Sequence, residues 1–112
     1  MSDPHPSLDL DDVVHQRTRL GILALLRSGV AMEFGVLRDN LRLTDGNLNR
    51  HLKVLEQAGL IAGNRVTGRG RPKTWLTITA AGRAALDAEL ATLRALIEAT
   101  EPPATEPEQD AS

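Results

Sequence analysis

The chain is 112 residues long, carries 13 Lys and Arg against 15 Asp and Glu for a net charge of −2, and has no cysteine. That length suits one domain with a modest core, and the missing thiols exclude a disulfide framework, thiolate metal ligation and thiol catalysis. No apolar run approaches the roughly 20 residues of a membrane span, and the acidic start MSDPHPSLDLDD is not a basic-then-apolar signal peptide, so a cytoplasmic protein without membrane partners is expected.

In chain order, residues 1–7 are expected to be disordered. Residues 10–27 read as a helix with Val13, Val14, Leu20, Leu23, Ala24 and Leu26 turned to a core, ended by Ser28 and Gly29. Val30 to Met32 suits a very short strand. Glu33 to Leu41 is a short helical stretch with Phe34, Leu37 and Leu41 on one side, and Arg42 and Leu43 then lead to Thr44. The stretch from Thr44 to Ala58 carries the strongest local signals. Thr44 suits an N-cap, Asp45 suits the first turn of a helix dipole, and Leu48, Leu52 and Leu55 form one apolar stripe. Gly59 suits the left-handed residue that ends a helix. The outer face carries Asn47, Asn49, Arg50 and Lys53, side chains of the types that read base edges and hold phosphates. Two short helices joined by a brief turn make a helix-turn-helix pattern.

Leu60 to Thr67 and Thr74 to Ile78 alternate as two strands. Between them GRGRPK, Gly68 to Lys73, forbids regular structure and is cationic. A hairpin tipped with arginines directly after a helix-turn-helix is a wing. From residue 38 to residue 73 there are eight basic side chains against Asp39, Asp45 and Glu56, a net +5, whereas residues 1–12 and 101–112 each carry four acids and no base. For binding a polyanion the local field outweighs the total charge. Thr79 opens a last helix to about Ala99, in which Leu86, Leu90, Leu93 and Ile97 follow the 4-3-4 spacing of a helix–helix seam. Residues 101–112 are Pro-rich and acidic, as in an unfolded tail.

The segments HQRTRLGILALL, FGVLRDNLRLTDGNLNRHLKVLEQAGLI, GRGRPKTWLTIT and AAGRAAL lie in the order, and have the character, of a bacterial winged-helix transcriptional regulator. The chain resembles members of the ArsR and MarR neighbourhood. Where many members carry a proline before Thr18 and Arg19, this chain has Arg17, so the first helix is expected to run unbroken. The resemblance implies a mainly α (α+β) fold over residues 8–100: a winged helix-turn-helix with a two- or three-stranded wing sheet and a long C-terminal dimerisation helix.

It also implies a homodimeric repressor that binds double-stranded DNA at an inverted repeat. Asn47, Asn49 and Arg50 would meet base edges. Arg42, Thr44, Lys53, Arg65 and Lys73 would hold phosphates, and Gly46 would leave room for the backbone of the duplex. Arg69 and Arg71 would enter a minor groove. Val13, Val14, Leu86, Leu90, Leu93 and Ile97 would form the dimer interface. His51 is most simply read as packing at the helix edge, and Trp75 as packing in the sheet. No cofactor and no catalytic residue is expected. Two other readings are a protein-interaction winged helix and a metal-responsive regulator using His5, His15 and the acids of Asp9 to Asp12, although their spacing matches no ligand motif. A small-molecule effector held at a dimer interface is a further partner of unknown identity.

Overall fold

The computed structural model describes residues 5–101. A 3-10 turn at Pro6–Asp9 precedes α1 (Asp12–His15), α2 (Arg17–Leu26), β1 (Met32–Glu33), α3 (Phe34–Asn40), α4 (Asp45–Gln57), β2 (Ile61–Val66), β3 (Lys73–Ile78) and α5 (Ala80–Thr100). Regular structure therefore starts earlier than expected, because Pro6 presets the first turn and the Leu10 N–H closes on the Ser7 carbonyl. The tail expected to be unfolded lies, beyond residue 101, outside the described residues, as do residues 1–4.

The first helix is broken, contrary to the expectation of continuity through Arg17. Gln16 takes an extended conformation, φ −61° and ψ 131°. Its side chain accepts from the Arg19 N–H at 2.9 Å, capping α2. Asp11 caps α1 by accepting from the Val13 N–H at 2.8 Å. The Arg19 guanidinium then donates to the carbonyls of Val13 at 2.6 Å and Asp12 at 3.2 Å, satisfying acceptors that the early end of α1 leaves open. The break changes the phase of the inward face: Ile22 is fully buried and Ala24, expected inside, is exposed.

The sheet is antiparallel in the order β1-β3-β2. Its register pairs Met32 with Leu76 and runs from Ile61 opposite Ile78 to Val66 opposite Lys73. Its inner face joins a core built from Val14, Ile22, Leu23, Leu26, Leu37, Leu48, Leu52, Leu55, Leu60, Ile61, Leu76 and Leu86. These residues come from every long element, so the sheet and the helix-turn-helix share one apolar interior.

Two turns position α4. After α3, the Arg42 N–H bonds to the Asp39 carbonyl and the Leu43 N–H to the Arg38 carbonyl, with Arg42 left-handed at φ 54°. After α4, the Gly59 N–H bonds to Glu56 and the Leu60 N–H to Leu55, with Gly59 at φ 77°. Both are Schellman caps, and only the second has the glycine the conformation favours. Thr79 joins the start of α5 to the end of α4. Its hydroxyl donates to the Gly59 carbonyl at 2.7 Å and accepts from the Gly82 N–H at 2.9 Å. Its own N–H donates to the Leu60 carbonyl at 3.0 Å.

Candidate nucleic-acid interface

α4 buries Leu48, Leu52 and Leu55 and exposes Gly46, Asn47, Asn49, Arg50 and Lys53. Thr44 accepts from the Asn47 N–H at 3.1 Å, which closes the first turn and fixes where the exposed face starts. A side chain at Gly46 would meet nothing within 4 Å, so that position opens to solvent. Arg50 donates from Nη2 to the Asn47 Oδ1 at 2.6 Å. The two side chains thus stand together one turn apart, with the amide nitrogen of Asn47 and the remaining guanidinium donors turned to other partners.

Arg38 sits at the base of this face. It donates from Nε to Asp39 and from Nη1 to Asp45, each at 2.9 Å. Its hydrogen bond to Asp39 first, and that to Asp45 next, push the guanidinium pKa above its already high ordinary value. Through this clamp one arginine occupies two of the three acids between residues 38 and 73. Arg42, Arg50, Lys53, Arg65, Arg69, Arg71 and Lys73 remain, all exposed, with Glu56 as the remaining acid.

The hairpin splits its cations between faces. Arg65 lies opposite Thr74, on the face of Gly63 and Leu76, while Lys73 lies opposite Val66, on the face of Asn64 and Trp75. Side chains alternate along a strand, so the two expected phosphate-holding residues stand on opposite sides of the ribbon, with Arg69 and Arg71 at its tip. Trp75 is 36% and Val66 47% exposed, so this face of the ribbon is partly open to solvent.

His51 is half-buried on the flank of α4 that faces α2. Its Nδ1 lies 3.2 Å from Nη1 of Arg19. Burial, then the charges of Arg19 and Arg50, lower its pKa below the ordinary imidazole value. Arg19 had no role in the sequence reading; it carries no local signal because its partners are main-chain carbonyls across the break and a ring 32 residues away.

The expected dimer residues do not form one free surface. Val14 and Leu86 are buried in the protein's own core, and Val13 and Leu90 pack against it, because α1 and the 3-10 turn pack against α5. Among them Glu89 is 2% exposed; it accepts from the Asp11 N–H at 3.1 Å and pairs with the His15 Nδ1 at 2.7 Å. Leu93 is half-buried and Ile97 is 54% exposed. Among the described residues no group of three His, Asp or Glu is arranged to hold a metal ion, and no helix is long and apolar enough to cross a membrane.

Residues 18–97 match the family described as winged helix DNA-binding domain. An uncharacterised protein of Methanocaldococcus jannaschii is 46% identical over 67 residues, which are 60% of this chain and 73% of that protein. Among solved structures, a transcriptional regulator homologue from Pyrococcus horikoshii superposes with a TM-score of 0.75 at 32% identity, covering 80% of this chain and 89% of that one. A zinc-responsive MarR family member from Lactococcus lactis shares the fold with a TM-score of 0.59 at 19% identity, over 80% of this chain and 60% of its own.

Proposed function

This chain belongs to the winged helix DNA-binding domain family, and on that premise we propose that it is a sequence-specific transcriptional regulator of double-stranded DNA, working as a homodimer on an inverted repeat and repressing by occlusion. The observation that carries this reading is the exposed face of α4 beside the cationic hairpin, with Arg38 holding two of the neighbouring acids. α4 enters a major groove, with Asn47, Asn49 and Arg50 at base edges. Arg42, Thr44, Lys53, Arg65 and Lys73 contact phosphates, and the opposed placement of Arg65 and Lys73 suits a ribbon lying between two strands. Arg69 and Arg71 meet a minor groove.

The bond between Arg50 and Asn47 refines the base reading. An asparagine reads adenine by donating and accepting together, and here its carbonyl already accepts from Arg50. With one lone pair of that oxygen taken, the pair presents more donors than acceptors, which suits acceptor-rich edges such as guanine N7 and O6. A left-handed arginine in the turn before α4 supports a role for Arg42, since strain of this kind gathers at functional positions. Ile97, exposed near the end of α5, and the half-buried Leu93 and Leu96 beside it support pairing with a second copy.

The test is a mobility shift on the DNA upstream of the protein's own gene, with random duplex as competitor. A shift that survives the competitor is expected. Binding lost at modest salt on every sequence would leave only the electrostatic attraction. A protein-interaction role, for which the exposed Trp75 and Val66 face is the available surface, would then be the better reading.

A further inference from the structure

His51 lies beside the proposed base-reading residues and has no part in that scheme. Arg19 is held by its bonds to the Val13 and Asp12 carbonyls, and its third nitrogen faces the His51 Nδ1 at 3.2 Å. A guanidinium has donors and no acceptor, so Nδ1 must accept. The hydrogen on one ring nitrogen is set by the bond the other makes, which places the ring proton on Nε2. Nε2 has no hydrogen-bond partner among the described residues. Arg50, the preceding residue of α4, faces the duplex in the proposed complex.

We propose that His51 is a neutral DNA-contacting residue that donates from Nε2 to a backbone phosphate, with Arg19 as the positioning residue that fixes its tautomer and ring orientation. The inference rests on the DNA-binding reading above. Burial first, and then the charges of Arg19 and Arg50, favour the neutral form of the ring, so the contact is a dipolar hydrogen bond and not an ion pair. It differs from the lysine and arginine contacts in one measurable respect: a neutral donor displaces no counterion from the duplex.

The experiment uses the full chain. Nitrogen-15 shifts of the His51 imidazole at neutral pH are expected to show a protonated Nε2 and a bare Nδ1; the opposite tautomer overturns the proposal. On a duplex that the wild type binds, His51→Leu is expected to weaken affinity about three- to tenfold, the worth of one hydrogen bond. The loss is expected to be equal on operator and random duplex, with an unchanged slope of log affinity against log salt. Lys53→Ala, by contrast, should lower that slope by about one. His51→Gln, whose amide nitrogen reaches near the place of Nε2, is expected to restore most of the loss.

Undiminished affinity in His51→Leu, or a loss that a well-folded His51→Gln leaves unrestored, overturns the contact alone. A wild type that shifts no duplex overturns the regulator reading and this inference with it. Inorganic phosphate at matched ionic strength is expected to leave the His51 signals in place; if it moves them as duplex does, the site is one for free phosphate and the DNA contact is rejected.

Discussion

Arg50 and Arg42 show how two arginines of one interface do different work. Arg50 extends from a regular helical position and is oriented by Asn47, which fits a base-edge role. Arg50→Ala is expected to cost about 1–3 kcal/mol on the operator and much less on random duplex; equal losses in competitive mobility shifts would refute base reading. Arg42 holds a left-handed conformation that costs a side-chain-bearing residue about 1–2 kcal/mol, partly offset in glycine by its greater chain entropy. Arg42→Gly is therefore expected to raise the thermal midpoint slightly while weakening every duplex alike and lowering the salt slope by about one. A lower midpoint would show that the arginine side chain itself supports the turn. The exposed residues of α4 were legible in the sequence because cap, stripe and stop are all local signals. Arg19 was not, since a guanidinium bonded to carbonyls across a chain break leaves no mark on composition or periodicity.

At the scale of elements, the same distinction separates α4 from the first helix. α4 stands within one residue of the span read from Thr44 and Gly59, and the two hairpin strands fall close to their alternating runs, whereas β1, expected at Val30 to Met32, is Met32–Glu33. The break at Gln16 was missed because no proline or glycine marks it, and what interrupts the helix is a set of side-chain bonds made by Asp11, Gln16 and Arg19. The approach of α5 to the end of α4 was equally hidden. Gly82 reads as an ordinary small residue in an alanine-rich helix, yet a Cβ there would collide with the Leu60 carbonyl oxygen and crowd Ile78. Gly82→Ala would improve helix propensity by about 1 kcal/mol. The backbone collision is expected to outweigh that gain, for a net loss of about 1–3 kcal/mol, seen as a lower denaturation midpoint. An unchanged or higher midpoint would mean that the helix shifts away freely.

For the whole molecule, the net charge of −2 concealed a basic face, which the sequence already showed by its distribution and the Arg38 clamp sharpened. The seam along α5 was legible as a period but not as an address: Leu86 and Leu90 serve the protein's own core, Leu93 is half-buried, and of the four only Ile97 is exposed. In the proposed dimer, Ile97→Glu is expected to shift sedimentation towards monomer and to weaken operator binding, since each half-site alone would hold one α4. An unaltered sedimentation profile would place the interface elsewhere. Thr79, bonded to both Gly59 and Leu60, has a last consequence for such a pair. With α5 fastened to the foot of α4, the two reading heads form a rigid gauge whose span is built in, rather than a caliper that adjusts. Each base pair inserted between half-sites turns one by roughly 35° about the duplex axis, given 10–10.5 base pairs per turn. A single inserted pair is therefore expected to abolish cooperative binding outright in a mobility-shift titration, and a graded decline with spacer length would reveal a joint that bends.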